Sequence, residues 1–91
     1  MWFTYALRSE RDGGFYIGMA SRLETRIQEH NAGANRSTKS RVPFELVYME
    51  RFDSRGAARE REKYLKSGSG REFLKGAAAE KLKLETENER G

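Results

Sequence analysis

Two aromatic-rich runs near the start, Trp2 to Leu7 and Phe15 to Met19, flank the triplet Asp12-Gly13-Gly14. Each run is short and apolar. In the first, Phe3, Tyr5 and Leu7 fall on one face and Trp2, Thr4 and Ala6 on the other, which is the period of a strand. The Asp-Gly-Gly triplet is a strong reversal signal. The chain is therefore predicted to open with a β-hairpin, and the rest must pack around it.

The next segment changes period. Leu23 and Ile27 are four apart, Ser21 is a candidate cap, and Gly33 is a stop, so a helix is predicted over about Arg22 to Asn31. Ala32 to Pro43 has no apolar period and reads as a basic loop. Phe44 to Phe52 reads as a third strand, with Phe44, Leu46 and Tyr48 alternating against Glu45, Val47 and Met49. Asp53 and Ser54 are both good caps for a second helix reaching Lys66. Ser67-Gly68-Ser69-Gly70 then breaks the chain, and a short helical turn carries Phe73 and Leu74. From Ala77 the four-residue spacing of Leu74, Ala78 and Leu82 predicts a terminal helix, with residues 85–91 frayed. The order is β-β-α-β-α-α. This is an α+β class, in which a small mixed or antiparallel sheet carries helices on its faces.

At 91 residues there is one domain and no room for a deep cofactor cavity. A site must be a shallow cleft formed by a sheet face and its flanking helices. The chain has no cysteine, which excludes disulfides, thiolate metal sites and cysteine nucleophiles. It shows no signal-peptide pattern and no run approaching the ~20 apolar residues of a membrane helix. A cytoplasmic protein without a membrane role is the expectation. Lys and Arg number 18 against 14 Asp and Glu, a net charge of +4. That balance suits a polyanionic partner or an ordinary solvated surface equally.

Glu62 is the most informative position. Ala58, Glu62 and Leu65 share one face of the second predicted helix, so a carboxylate stands on the apolar side. Such a group is desolvated unless it is paired or bound to a cation. It is either a partner in a buried ion pair or a ligand for Mg²⁺, which keeps most of its waters and takes other oxygens from phosphate. Arg26 and His30 are four apart on the first helix, beside the Leu23/Ile27 stripe. They are either packing and solvated residues or a phosphate-facing pair, since guanidinium matches phosphate in fork geometry. Tyr5 and Tyr16 share a sheet face only if Tyr16 falls opposite Leu7, and a slip of one residue separates them. The sequence leaves that register open. Arg22 and the loop residues Arg36, Thr38, Lys39 and Arg41 are candidate phosphate contacts.

Taken in order, these residues resemble the GIY-YIG nuclease family. Tyr16-Ile17-Gly18 reproduces the second half-motif. Phe3-Thr4-Tyr5 stands where Gly-Ile-Tyr would be, and its tyrosine matches. Leu23-x-x-Arg26-x-x-x-His30-Asn31 is similar to the helix bearing the family's arginine, and Ala58-x-x-x-Glu62-x-x-Leu65-Lys66 to the helix bearing its glutamate. Ser37-Thr38-Lys39 before Pro43, and Leu65-Lys66-Ser67-Gly68, resemble small stand-alone bacterial members. The resemblance covers about Trp2 to Lys75, which sets residues 1–76 as the nuclease-like domain and 77–91 as a charged helix or tail.

The resemblance implies a three-stranded antiparallel sheet flanked by helices, and an endonuclease that hydrolyses DNA, including branched or damaged DNA, with one divalent metal, Mg²⁺ or Mn²⁺. It implies that Glu62 holds the metal, Arg26 neutralises phosphate charge, and Tyr5 and Tyr16 position or deprotonate water. His30 would assist through a hydrogen bond to a tyrosine or phosphate. Which tyrosine is the base stays open. Two features depart from the family: the missing Gly-Ile, and the absence of any asparagine after Glu62 except Asn88 in the tail. They support an alternative, a nucleic-acid-binding module on the same fold with weak or no catalysis. Larger relatives are targeted by an attached DNA-binding domain, so here a protein partner or a homodimer is expected to supply specificity. A third reading is an adaptor that uses Trp2 and the charged tail.

Overall fold

The computed structural model describes the backbone of residues 1–90 and the side chains of residues 1–81. The expected hairpin is present as β1 (Trp2–Ser9) and β2 (Phe15–Ala20). Gly13 takes the left-handed conformation at φ 75°, and the Asp12 carboxylate accepts from the Gly14 N–H at 2.7 Å. The turn triplet thus works through both of its residue types: glycine accepts the positive φ, and aspartate satisfies a loose backbone donor.

Next come α1 (Leu23–Asn31), a short 3-10 turn over Lys39–Arg41, β3 (Phe44–Phe52), α2 (Arg55–Leu65) and α3 (Gly68–Arg90). The three strands form an antiparallel sheet in the order β2-β1-β3, with β1 central. The fold is α+β with the order β-β-α-β-α-α, as expected. β1 pairs with β3 through an irregularity between Ala6 and Leu7.

The two faces of β1 build two cores. Tyr5 and Leu7 pack with Ala20, Leu23 and Phe44, with Ile27 of α1 against them. Ala6 packs with Val47, Leu65 and Leu74, the last two from α2 and α3. Strand alternation therefore sends α1 to one face and α2 and α3 to the other. The Thr4 hydroxyl, on the second face, donates to the carbonyl of Ala58 at 2.7 Å and fastens α2 to the central strand.

Helix ends differ from expectation at two places. Ser54 caps α2 as expected, accepting from the Ala57 N–H at 3.2 Å. α1 instead starts after Arg22, with no side-chain cap; Ser21 lies one residue outside the cap position. The Ser67–Gly70 break is also shorter than expected. α2 ends at Leu65 and α3 begins at Gly68, with Ser67 Oγ accepting from Gly70 N–H at 3.2 Å, and a single helix replaces the short turn and separate terminal helix. Gly70 is needed at this corner because a Cβ there would overlap the backbone of Tyr64 and Leu65. The backbone of residues 85–90, expected to fray, lies within α3, and residue 91 is outside the described residues.

Candidate nuclease site

The register pairs Leu7 with Tyr16 and Tyr5 with Gly18. This is the pairing that puts both tyrosines on one face, and their ring centroids are 6.4 Å apart. Gly18 directly opposite Tyr5 makes the arrangement possible. A Cβ at that position would stand 2.7 Å from Tyr5 Oη and 2.9 Å from its Cζ, and 3.3 Å from Tyr16 Cε1. The glycine thus leaves space for both rings.

His30, near the end of α1, closes the group. It is 0% exposed, its ring centroid is 4.6 Å from that of Tyr16, and its Nε2 is 3.4 Å from Tyr5 Oη. Its Nδ1 is 2.9 Å from Thr38 Oγ1, while the Thr38 hydroxyl donates to the Asn35 carbonyl at 3.4 Å. That chain of donors assigns the proton to Nδ1 and leaves Nε2 as the acceptor for the Tyr5 hydroxyl. Burial, reinforced by the Arg26 charge, holds the His30 pKa below its ordinary value, so the ring is neutral at pH 7. Burial pushes the Tyr5 pKa up to about 12, with Tyr16 adding to the rise and Arg26 opposing it. Tyr5 keeps its proton at neutral pH.

Arg26 lies one turn before His30 on α1. It is half exposed, and its guanidinium is 3.2 Å from the Glu29 carboxylate. A surface pair of this kind is worth about 0–1 kcal/mol, so a phosphate can displace it. Arg26, His30 and Arg36 border one cleft of about 270 Å³. Glu62 stands on α2, across the sheet from α1. Its side chain is 16% exposed, and one oxygen is 3.5 Å from Lys66 Nζ. Its charge acts on the Tyr5 hydroxyl, in the direction that keeps the proton on.

The candidate phosphate contacts divide into two groups. Arg22 and Lys39 are exposed, as is Arg36 on the cleft. Thr38 is 1% exposed and turned inward to His30. Arg41 is tied to Asp12 at 2.9 Å and lies over the Phe44 ring. Ser9 completes this anchor by donating to the Arg41 carbonyl at 2.5 Å. The loop is thus folded back onto the hairpin and α1. Sequence reasoning missed three positions that shape the site: Thr38 as the partner of His30, Gly18 as the space for Tyr5, and Asn31. The Asn31 amide accepts from Phe44 N–H at 2.7 Å and donates to its carbonyl at 3.2 Å, joining α1 to β3. Gly18 and Asn31 were visible as parts of motifs, and Thr38 as a candidate phosphate contact, but the partners of Thr38 and Asn31 lie elsewhere in the sequence.

A three-stranded sheet carries two tyrosines, a neutral histidine and an arginine on its α1 side and a helix-borne glutamate on its α2 side, the frame of a small α+β domain. The GIY-YIG catalytic domain family matches residues 1–75. The chain belongs to the GIY-YIG family, a family of nucleases. It is 44% identical to a UPF0213 protein of Natronomonas pharaonis over 71% of this chain and 76% of that one. It is 38% identical to a UPF0213 protein of Syntrophus aciditrophicus over 94% of this chain and 91% of that one. The solution NMR structure of a UPF0213 protein from Bacillus halodurans matches with a TM-score of 0.52 and 31% identity, covering 84% of each chain. Among the described residues, no helix is long and apolar enough to cross a membrane.

Proposed function

We propose that this chain is an endonuclease that hydrolyses DNA phosphodiester bonds in the cytoplasm with Mg²⁺ or Mn²⁺, on substrates that include branched or damaged DNA. The observation that carries the reading is the packing of Tyr5, Tyr16 and His30 into one group beside Arg26. Residues 1–76 form the nuclease unit, and residues 77–91 extend it.

Among the described residues, no three His, Cys, Asp or Glu side chains gather into a site. A cation here cannot rest on protein ligands alone. One partly exposed carboxylate, Glu62, suits Mg²⁺, which binds through one or two carboxylates with the rest of its shell from water and phosphate. When bound, the cation would supply positive charge at the phosphate and make water more acidic.

The chain's own groups supply the rest. Arg26 exchanges Glu29 for the scissile phosphate and stabilises charge that grows on its oxygens. Arg36, on the same cleft, binds a neighbouring phosphate, as do Arg22 and Lys39 on the approach. Tyr16, partly exposed beside the buried Tyr5, holds the attacking water. Tyr5 is buried with a pKa of about 12, so it keeps its proton and, by donating to His30 Nε2, holds the ring in place, while the partly exposed Tyr16 takes the water's proton as its own passes to solvent. The hydroxide so formed attacks phosphorus, the opposite P–O bond breaks, and the leaving oxygen takes up a proton from solvent, which restores the one released at Tyr16. Thr38 and Arg41 serve this site indirectly, by orienting His30 and by fixing the loop.

Supercoiled, branched and single-stranded DNA incubated with Mg²⁺, Mn²⁺ or chelator tests the proposal. Metal-dependent nicking, lost in Glu62→Ala and Arg26→Ala, is expected. Salt-sensitive binding without cleavage by any metal-loaded sample would instead establish the binding module, with Glu62 acting as the ion-pair partner of Lys66.

A further inference from the structure

Trp2 is the largest side chain in the protein, yet it belongs to neither apolar core and is only partly buried. It borders a groove of about 360 Å³ where the end of β2 meets the start of α1. The groove is lined also by Ser21, Arg22, Thr25, Arg26 and the Glu29 carboxylate that pairs with Arg26. It shares Arg26 and Glu29 with the cleft that holds His30 and Arg36, so the two depressions meet at that ion pair. On α2, the Arg55 guanidinium lies 5.5 Å from the centre of the Trp2 ring.

We propose that this groove is a binding subsite for one unpaired nucleobase, stacked against Trp2 while its neighbouring phosphate lies on Arg26. The proposal rests on the reading of Arg26 as a phosphate-binding residue. The chemistry matches at each end. An indole has two flat faces, and with Arg55 over one of them the other offers a surface on which any base can stack. The Ser21 and Thr25 hydroxyls offer donors and acceptors to a base edge, and Arg22 offers donors. Arg22 and Arg26 outnumber Glu29 along the lining and give the groove a net positive charge.

Size and position decide what kind of strand fits. A depression of this volume beside a phosphate-binding residue holds a base only if that base has left its stack. Extrusion from intact duplex carries an unstacking and unpairing cost, which is absent or small for single-stranded, frayed or mismatched positions. The subsite therefore makes the protein prefer nucleic acid with an unpaired nucleotide next to the bond at Arg26. Trp2 is a specificity-determining residue in this scheme, and its loss weakens binding without touching the water or the proton path.

Trp2 is the sole tryptophan, so it reports its own occupancy. The full chain, kept in chelator so that nothing is cut, is titrated with four probes while indole emission is followed. The probes are a short single strand, an abasic strand of equal length and charge, a blunt duplex and inorganic polyphosphate. Quenching by the base-bearing strand, with little from the other three, is expected. By anisotropy, Trp2→Ala should bind that strand about tenfold more weakly, the scale of one lost base stack. Trp2→Phe, which keeps an aromatic face, should stay close to the parent, and it also guards against a folding defect in the alanine variant. Equal quenching by abasic and base-bearing strands, or by blunt duplex and single strand, overturns the proposal. So does unchanged affinity in Trp2→Ala. The nuclease reading fails separately: cleavage can be absent in metal while base-dependent quenching persists, and cleavage can be present while quenching is absent.

Discussion

Replacing Gly18 by alanine is expected to damage both the fold and the site, through two tyrosines that it does not remove. The new Cβ would lie 2.7 Å from Tyr5 Oη and 2.9 Å from Tyr5 Cζ. Comfortable carbon contacts begin near ~3.5 Å, so the overlap is most of an ångström. Tyr5 is 1% exposed, with its hydroxyl directed to His30, and it cannot swing into solvent. Forcing an extra carbon into such packing costs about 1–3 kcal/mol. Alanine recovers part of this, since glycine inside a strand is worse by roughly 0.5–1 kcal/mol. The net loss is then on the order of 1–2 kcal/mol, which in a domain of this size lowers the melting temperature by about 5–15 °C. Melting by circular dichroism measures the first effect, and nicking of supercoiled DNA the second. Tyr5→Phe removes the nearest atom, so Gly18→Ala should be milder in that background, with a coupling of at least about 0.5 kcal/mol. A Gly18→Ala protein that melts with the parent would refute the reasoning, as would strict additivity with Tyr5→Phe.

Two further outcomes follow from the same group of residues. The folded state holds His30 neutral below its ordinary pKa near 6.5, so the unfolded chain binds the extra proton first. Stability from this residue is complete above that pH and is lost as pH falls through the folded-state pKa; denaturant midpoints at a series of pH values should show this decline, and His30→Gln should flatten it. Glu29→Gln removes the carboxylate that occupies Arg26. Because both partners are half exposed, thermal stability should barely move, while affinity for a DNA strand rises by up to several-fold, the size of one surface pair; an unchanged affinity would mean that Glu29 does not compete with phosphate.

The elements that sequence reasoning located are those specified by neighbouring residues. Asp12-Gly13-Gly14 turns the hairpin, Gly33 ends α1 at φ 76°, and Ser54 caps α2, each through contacts only a few positions away. The register of Tyr5 and Tyr16 was not legible, because alternation alone fits either pairing; the structure sets Tyr16 against Leu7. Ser67 to Gly70 reads as a break because glycine disfavours a helix interior. The helix begins there all the same, because only glycine permits the close approach of α3 to Tyr64 and Leu65. Thr38 and Arg41 look like surface groups in a polar loop. Their roles depend on His30 and Asp12, eight and 29 positions away, and composition carries no sign of that. Glu62 was legible as a carboxylate on an apolar helix face, and its low exposure agrees.

The sheet order leaves β2 as an outer strand of six residues, with Tyr16 on it and Gly18 two positions on. A reaction centre on an outer strand has a wall on one side and open water on the other. Nothing has to be threaded into it, and a long polymer can lie across it at any point along its length. Under the proposed nuclease function, such a centre would be indifferent to where a molecule begins or ends, which is the geometric condition for cutting in the middle.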